Sequence, residues 1–411
     1  MEISSTFAWK NLTPEPGHFT FGYYDRIPWD AEGRLHLALR ILQQEHLPLP
    51  GEVADVGYVD RVTCSFTKVG ETRAWCHQQG AMTLWLRQRP RTFVYNDFVR
   101  EGGAWRPIAR IHSLDEGEVG RYEVPLYTVS RDGRWGVSLN FGRIPRRGYS
   151  YALAPLPRED PAPDLDNDGL FLVDLATGEV GLIASYRQLI AAHPFPYDLE
   201  GAYLWLNHSI FNCDSSRVMV LLRYAPQMDP PKPWRTFMFT MCLDGSELRC
   251  SLSDLYWRGM ISHQIWGRTP GEVLVDANWG GRGHEYVVFD EGRCPWQAQR
   301  ISRGMGPAGH LNFSPDGRWL VADTYPDAEG IQRLALVEVA TGAWVTLGRF
   351  RHQVPGAQGD LRCDLHPRWS EDGHYLTVDT IHTGERKIFM LDLTDATFRY
   401  IEHALRQEQG I

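Results

Sequence analysis

The sequence predicts an all-β fold, a seven-bladed β-propeller of four-stranded antiparallel blades. Three observations support this prediction: a turn phrase that recurs along the chain, a β-rich run after each copy, and a second hairpin after several runs. The chain is also rich in aromatic residues, with 15 Trp, 17 Tyr and 17 Phe, and these favour strands and bury large areas. We therefore expect residues 1–411 to form a single propeller domain.

The turn phrase reads Ser-x-Asp-Gly, followed by a basic residue or histidine and then an aromatic residue. Its clear copies span Ser130–Trp135, Ser314–Trp319 and Ser370–Tyr375. Weaker copies lie at 30–34 and 212–217, and further turns near 89–92 and 269–272 bring the total to seven. Asp-Gly between apolar runs indicates a hairpin, because tight turns need positive φ angles. A β-sandwich is the alternative, but sandwiches rarely repeat one turn phrase at this spacing.

Each turn precedes a short run of β-forming residues. The runs are Leu35–Ile41, Thr92–Phe98, Trp135–Phe141, Val218–Tyr224, Glu272–Trp279, Trp319–Tyr325 and Tyr375–His382. Strand–turn–strand patterns follow at 171–183, 237–245, 334–347 and 388–395. Together these elements make a unit of four antiparallel strands, which is the blade of a propeller.

The spacing of the turns breaks once, between Asp132 and Asp214. We expect a long loop insertion at about 143–168 and a short helix near 185–193. Long loops on a propeller are often functional. The alternative is a solvated loop without a specific role.

Composition restricts the partners of the chain. It has 42 Lys and Arg against 51 Asp and Glu, and a net charge of −9 opposes nucleic acid as a partner. No apolar stretch is long enough for a membrane span, so we expect no membrane contact. The N-terminus lacks a basic and apolar leader, and the seven cysteines contain no CxxC pair. We therefore expect a cytoplasmic protein with reduced thiols; its oligomeric state stays open.

Histidines and aspartates recur in register with the turns. Four histidines share one position shortly before the turn, namely His208, His263, His310 and His366. Three of them are followed thirteen residues later by an aspartate, namely Asp276, Asp323 and Asp379. Because the first strand of a blade lines the central channel, we expect the histidines to converge near one mouth. They could bind a metal or transfer protons, or the aspartates could simply orient imidazoles and bridge strands.

One subset of these residues suggests a metal site. His310 and Asp323 of one blade, with Cys363 and His366 before the next turn, offer two imidazoles, a carboxylate and a thiolate. This set suits tetrahedral zinc, with manganese as the alternative. A buried free cysteine beside core histidines is the other interpretation.

Several phrases resemble the propeller polysaccharide lyases, which are the oligogalacturonate lyases and the seven-bladed ulvan lyases. The longest are Gly309–Gly317, Asp323–Asp327 and Arg362–Ser370. Shorter matches are Tyr23-Tyr24-Asp25, His77–Ala81, Tyr95–Asp97 and Asn207-His208. The resemblance implies β-elimination at a uronic acid within an anionic oligosaccharide. That reaction requires a cation or donor on the carboxylate, a base for the C5 proton and an acid for the departing O4.

The resemblance also implies roles for individual residues. His77 matches the first catalytic histidine of the ulvan type, but the second falls near Asn96, which has no imidazole. His208 matches a later histidine that contacts the acidic sugar. His310, Cys363 and His366 match the metal site by position. Arg368 stands where the oligogalacturonate type continues with another histidine.

The resulting prediction assigns three groups of residues. The predicted catalytic residues are His77, His208, Tyr151 and Arg147. The predicted substrate-binding residues are Asn96, Arg143, Tyr149, Arg223, Tyr224 and His263. The predicted metal ligands are His310, Asp323, Cys363 and His366. Two other functions stay open: another reaction on an anionic sugar or small molecule in the same pocket, and a non-catalytic propeller scaffold.

Overall fold

Seven four-stranded antiparallel sheets form the ring of a β-propeller in the computed structural model. The structure describes residues 3–144, 163–193, 202–226, 234–252, 261–278, 283–293, 297–305, 309–353 and 359–408. The predicted site residues Arg147, Tyr149 and Tyr151 lie outside the described residues. Within these ranges, no helix combines the length and apolar character needed to cross a bilayer.

The chain starts with β1 (Trp9–Asn11) and then builds the blades in order. Blade 1 contains β2 (His18–Thr20), β3 (Leu35–Ile41), β4 (Ala54–Asp60) and β5 (Phe66–Thr72). Blade 2 contains β6 (Leu84–Trp85), β7 (Thr92–Glu101), β8 (Ala104–Ser113) and β9 (Gly117–Tyr122). Blade 3 contains β10 (Thr128–Val129), β11 (Trp135–Ser138), β12 (Gly169–Asp174) and β13 (Val180–Ser185).

The second half of the ring follows the same plan. Blade 4 contains β14 (Tyr203–Phe211), β15 (Arg217–Ala225), β16 (Arg235–Cys242) and β17 (Arg249–Leu252). Blade 5 contains β18 (Ile261–Trp266), β19 (Glu272–Ala277), β20 (Glu285–Asp290) and β21 (Gln299–Arg303). Blade 6 contains β22 (Leu311–Phe313), β23 (Trp319–Asp323), β24 (Ile331–Glu338) and β25 (Trp344–Arg351). Blade 7 contains β26 (Arg368–Trp369), β27 (Tyr375–Thr380) and β28 (Lys387–Asp392), with β1 as its fourth strand.

In the described part of the chain, two α-helices accompany the strands. The short helix expected near 185–193 is α1 (Tyr186–Ala191), which starts at a capping box formed by Ser185 and Gln188. A longer helix, α2 (Asp395–Glu408), follows blade 7. Its apolar face places Ile401 and Leu405 in the core cluster around blades 6 and 7. The surrounding blades therefore supply the packing that stabilises α2.

Blade 7 differs from its predicted form. The sequence pattern at 388–395 suggested another strand–turn–strand, but α2 begins at Asp395 and no fourth strand follows there. Instead, β1 pairs antiparallel with β28, and Lys10 lies opposite Met390. The first strand of the chain thus closes the ring against the last.

The recurring turn phrase has the same physical basis in each clear copy. In blade 6, the Ser314 side chain accepts a bond from the Trp319 amide at 2.9 Å and donates to Asp316 at 2.5 Å. Gly317 adopts a φ of 69°, a region open to glycine because it has no Cβ. Each of the seven turns joins the first and second strands of its blade, as predicted. The turns therefore lie at one mouth of the channel, and the residues before the first strands lie toward the other.

Candidate functional site

Four histidines enter the channel on or directly before the inner strands, and three of them have positive φ angles. His208 and His263 sit at register shifts within β14 and β18, with φ angles of 54° and 56°. His366, just before β26, has a φ of 45°, and His310 directly precedes β22. Residues other than glycine rarely adopt positive φ, and such positions cluster at functional sites. The fold therefore holds His208, His263 and His366 outside the regular strand alternation.

The imidazole rings lie close together around two tyrosines. The ring centroid of His310 lies 4.2 Å from that of His263 and 4.2 Å from that of His366. The Tyr24 ring lies 4.8 Å from His310, and the Tyr23 ring lies 4.9 Å from His366. The prediction that the histidines converge at one mouth is correct in this geometry, whereas the central position of the two tyrosines was not predicted.

Hydrogen bonds set the tautomers of two of these histidines. Nδ1 of His310 lies 3.1 Å from Oδ1 of Asp323, and Nδ1 of His366 lies 3.0 Å from the carbonyl oxygen of Gly22. Both partners are acceptors, so each Nδ1 donates its hydrogen, and in the neutral imidazole the lone pair is then on Nε2. The Nε2 of His366 is buried and has no hydrogen-bond partner among the described residues. This is the arrangement that metal-binding histidines adopt in proteins.

Asp323 links blade 6 to blade 7. It is not a member of the cluster of possible metal ligands, which is formed by His310, Asp364 and His366. Its Oδ1 accepts from the backbone amide of His310 at 2.5 Å, and its Oδ2 accepts from that of His366 at 3.0 Å. A Cβ on Gly309 would lie only 1.9 Å from the Asp323 carbonyl oxygen, so only glycine fits before His310. The predicted ligand Asp323 is therefore a residue that positions the two histidines.

The ligand atoms that come together belong to His310, Asp364 and His366, all within 4.8 Å of one another. Two imidazoles and a carboxylate fit a divalent cation such as zinc or manganese. Burial opposes ionisation of Asp364, but the neighbouring Arg362 guanidinium holds the pKa of Asp364 below its ordinary value. The predicted ligand Cys363 is not in this group. Burial raises the pKa of its thiol to about 12, so the thiol stays protonated.

This cluster opens into a cavity of 440 Å³. Four of the predicted site residues line it, namely His208, Arg223, His263 and His310. Residues that were not predicted also line it, including Tyr23, Trp234, Tyr325, Arg362 and Asp364. A cavity of this size, with a largely polar wall and a few aromatic side chains, suits a small polar ligand.

Two cavity histidines, His208 and His263, have lowered pKa values. Burial lowers the pKa of His208, and burial together with the neighbouring His310 lowers the pKa of His263 well below its ordinary value. Nε2 of His208 bonds to the carbonyl oxygen of Gln264. Nε2 of His263 lies 2.9 Å from the Tyr325 hydroxyl. These neutral imidazoles can accept protons or exchange them with a phenol.

Two arginines supply positive charge to the cavity wall. The Arg223 guanidinium lies 5.5 Å from the centre of the Trp234 ring, and its buried Nε has no hydrogen-bond partner among the described residues. The Arg362 guanidinium lies 3.9 Å from the centre of the Tyr325 ring. Stacking on an aromatic face uses the plane of a guanidinium and directs its N–H edge toward carboxylate oxygens, as Arg362 does toward Asp364.

His77 and Asn96 lie away from the cavity lining. Nε2 of His77 is 3.3 Å from the carbonyl oxygen of Gln43, while the following residues Gln78 and Gln79 line the cavity instead. Burial lowers the pKa of His77 to about 3. The Asn96 amide donates to the Leu126 carbonyl and accepts from its amide, both at 2.8 Å. Asn96 therefore joins blades 2 and 3.

Arg143 and Tyr224 also lie outside the lining. Arg143 is 1% exposed; its Nε donates to the Leu204 carbonyl at 2.9 Å and its guanidinium lies over the Tyr203 ring. Tyr224 stacks on Phe237, with ring centroids 5.7 Å apart. Both contribute to packing around blade 4, which is a structural position for two residues predicted to bind substrate.

The other two aspartates of the repeat have structural partners. Asp276 does not bond to His263; it lies 3.1 Å from His284 Nδ1 and accepts from the Gly309 amide. Asp379 bonds to Arg368 in its own blade and accepts from the Phe21 amide in blade 1. All three repeat aspartates thus link one blade to the next.

A second cavity, of 650 Å³, occupies the opposite mouth. The turn residues line it, together with several arginines. Arg87 pairs with Glu371, Arg91 with Asp115 and Arg268 with Glu272. This mouth lacks the clustered imidazoles of the first among the residues described, so we place the candidate site in the smaller cavity.

The fold and this site geometry allow comparison with known proteins. No protein-family model matches the sequence, and no curated protein matches it. The chain is similar in fold to two oligogalacturonate lyases. One, solved in complex with manganese, is 17% identical over 96% of this chain and 95% of its own, with a TM-score of 0.66. The other, from Vibrio parahaemolyticus, is 14% identical over 97% and 96%, with a TM-score of 0.63. At these identities the likeness concerns the fold, which spans the whole ring.

The residues missed by sequence reasoning lie beside the predicted ones. Asp364 stands two positions before His366 and belongs to the same group of ligand atoms, whereas Cys363 does not. The positive φ of His366 interrupts the alternation of an extended chain, so the spacing of these residues did not reveal which of them joins the group. Tyr23 and Tyr24 belong to a phrase that matched the lyases, but their place among the histidines depends on a contact between blades.

Proposed function

We propose that this protein is a lyase that cleaves a uronic-acid-containing oligosaccharide by β-elimination, with a divalent cation held by His310, Asp364 and His366. The observation that carries the proposal is the meeting of these three groups at a cavity whose wall also contains Arg223 and Arg362. The similarity in fold to oligogalacturonate lyases supports it. One of those lyases was solved with manganese, which makes manganese a candidate beside zinc.

The two arginines and the cation address the first requirement of the reaction. The C5 proton of a uronic acid is weakly acidic, and neutralising the adjacent carboxylate makes its removal easier. When bound, the cation would act as a Lewis acid toward that carboxylate. Arg223 and Arg362 carry permanent charge and can form paired hydrogen bonds with carboxylate oxygens.

Proton transfer falls to the neutral imidazoles and the phenols of the cavity. His208 and His263 can accept the C5 proton, because burial keeps them uncharged. The Tyr325 hydroxyl, bonded to His263, can supply a proton to the departing O4. In this proposal the His263–Tyr325 pair takes the place first given to His77. The roles suggested for Arg147 and Tyr151 stay predictions.

The decisive experiment mixes the purified protein with pectic, ulvan-type and glucuronan-type oligosaccharides in the presence of Mn²⁺ or Zn²⁺. We expect a rise in ultraviolet absorbance from the new C4–C5 double bond on at least one substrate. The His310→Ala, His366→Ala double variant should lose this activity. His374→Ala is the matched control, because His374 is an exposed histidine in the turn of blade 7. Absence of an unsaturated product with every substrate would contradict the proposal.

A further inference from the structure

Arg362 and Asp364 form a paired contact at the edge of the cavity. Nη2 of Arg362 donates to Oδ2 of Asp364 at 2.8 Å, and Nε donates to Oδ1. The arginine side chain is 21% exposed and the aspartate side chain only 3%. The guanidinium is therefore the outer member of the pair, and it faces the cavity that both residues line.

Asp364 takes part in two interactions that oppose each other. Its carboxylate belongs to the group with His310 and His366. The same carboxylate also accepts the two hydrogen bonds from the Arg362 guanidinium. A divalent cation on that group would draw on the same carboxylate charge, and it would repel the guanidinium across a few ångströms of partly buried space. Binding of the cation to the Asp364 carboxylate therefore weakens the hydrogen bonds between Asp364 and Arg362.

Tyr325 gives the guanidinium a support that does not depend on Asp364. The Arg362 guanidinium carbon lies 3.9 Å from the centre of the Tyr325 ring. This stacking uses the face of the guanidinium and not its N–H edge. An arginine released from Asp364 can therefore keep its place in the cavity wall and offer its N–H edge to another carboxylate.

We infer that Arg362 is a carboxylate clamp for the acidic sugar, and that a cation bound at Asp364 releases it for this use. The sugar part of this inference rests on the proposed function. The released fork binds the uronate carboxylate through two parallel hydrogen bonds, in place of those to Asp364. By linkage, the cation and the uronate each bind more tightly in the presence of the other. Arg362 is thus a determinant of substrate class.

The first test measures the affinity for the metal alone. MnCl₂ is titrated calorimetrically into the chelator-treated wild type and into Arg362→Met and Arg362→Lys. Removing the competing cation should raise the Mn²⁺ affinity of Arg362→Met by about fivefold or more, the lower end of typical coupling between sites. Arg362→Lys keeps the charge and should stay nearer the wild type. An Mn²⁺ affinity of Arg362→Met that is equal or weaker would mean that Arg362 only orients Asp364, and it would overturn the inference.

Asp364→Asn serves as the control for the location of the metal. It should lose most Mn²⁺ binding while its thermal unfolding stays cooperative. Unchanged Mn²⁺ binding by a folded Asp364→Asn would place the metal elsewhere and would also overturn the inference.

The second test measures linkage with galacturonate as the probe. Mn²⁺ should strengthen galacturonate binding to the wild type, and this gain should disappear in Arg362→Met. An undiminished gain in Arg362→Met would assign the sugar carboxylate to the metal or to Arg223 and would overturn the clamp. Neither titration measures turnover, so a protein that yields no unsaturated product could still pass the metal test. Failure of the lyase proposal and failure of this inference are therefore distinguishable.

Discussion

At one mouth of the channel, the turns of blades 3, 6 and 7 make the same bonds at nearly the same distances. The serine side chain accepts from the amide five residues on at 2.9 Å in all three copies, at Ser130, Ser314 and Ser370. At the other mouth, residues at one repeat position have different partners. His208 bonds to a carbonyl, His263 to a phenol and His310 to a carboxylate.

This difference separates two uses of one repeat. At the turn mouth, which is formed by the hairpin turns, the clear copies share a sequence because each serine closes the same hairpin. At the histidine mouth, which is lined by His208, His263 and His310, the blades share a backbone position, but the side chain there has a different partner in each blade. Among the described residues, buried polar atoms without a hydrogen-bond partner occur in both cavities, for example Nε1 of Trp29 beside the turns and Nδ1 of His263 among the imidazoles. Those of His263 and His366 lie within the cluster of imidazoles, where a ligand could satisfy them.

Asp323→Ala is expected to have the largest effect on stability and metal binding, and it tests the histidine mouth directly. The change removes the acceptor of three bonds to His310 and His366 in a fully buried site. We expect the free energy of unfolding to fall by about 3 kcal/mol, and metal binding to be lost, as measured by urea denaturation and calorimetry. Asp379→Ala is the matched variant, since it breaks a similar link at the next blade. A variant of Asp323 with unchanged stability would contradict its role as a link between blades.

A medium effect concerns pH and His77, the buried histidine that directly precedes Gln78 and Gln79 of the cavity wall. The pKa of His77 is about 3 in the fold and 6.5 as the ordinary value. Between these values the unfolded chain binds a proton that the folded chain refuses, so stability is complete above pH 6.5 and falls as the pH drops. At pH 5 the loss from this group is about 2 kcal/mol. His77→Gln should make urea-derived stability less dependent on pH between 6.5 and 5 by that amount.

His284 provides a control of opposite sign for the same measurement. The Asp276 carboxylate raises the pKa of His284, so this histidine stabilises the fold below its unfolded pKa and loses that contribution as the pH rises through the folded pKa. His284→Gln should therefore lower stability more at acid pH than at alkaline pH. The same slope in both variants would show that burial and pairing do not control the response.

The smallest effect is expected at the turn mouth. Ser314→Ala removes the bond from the Trp319 amide and should destabilise the protein by about 1 kcal/mol. Ser370→Ala should cost a similar amount, because its turn has the same geometry. Neither change should alter Mn²⁺ affinity. A change in metal affinity would show that the two mouths are coupled and would break the comparison.

The parts of the fold that could be predicted from sequence are those built by local bonds. The turn phrase carries its own hydrogen bonds, so its copies located all seven hairpins and most second strands. The strand β1 could not be found this way, because Lys10 meets Met390 and nothing near Lys10 marks that pairing. A strand of three residues is too short to show a periodic hydrophobic pattern, and its pairing with a distant strand leaves no mark in the nearby sequence.

The site was predicted in part for the same reason. The repeat register placed His208, His263 and His310 at one cavity, because equivalent positions in successive blades must converge around a channel. It could not separate Asp364, which joins the group that could hold a metal, from Asp323, which positions the two histidines. That distinction depends on which oxygen faces which amide across two blades. A matching phrase also does not show that its polar residue acts at the site. Asn96 lies in the phrase Tyr95–Asp97, but its side chain bonds to the backbone of Leu126.

The pairing of β1 with β28 has a consequence for how the molecule is made. Synthesis produces Trp9–Asn11 before any blade exists, yet their partner emerges only after the six other blades. Until then β1 has no partner strand, and unpaired strands are where chains join wrong neighbours. Closure of the ring by β1 therefore cannot precede the synthesis of blade 7.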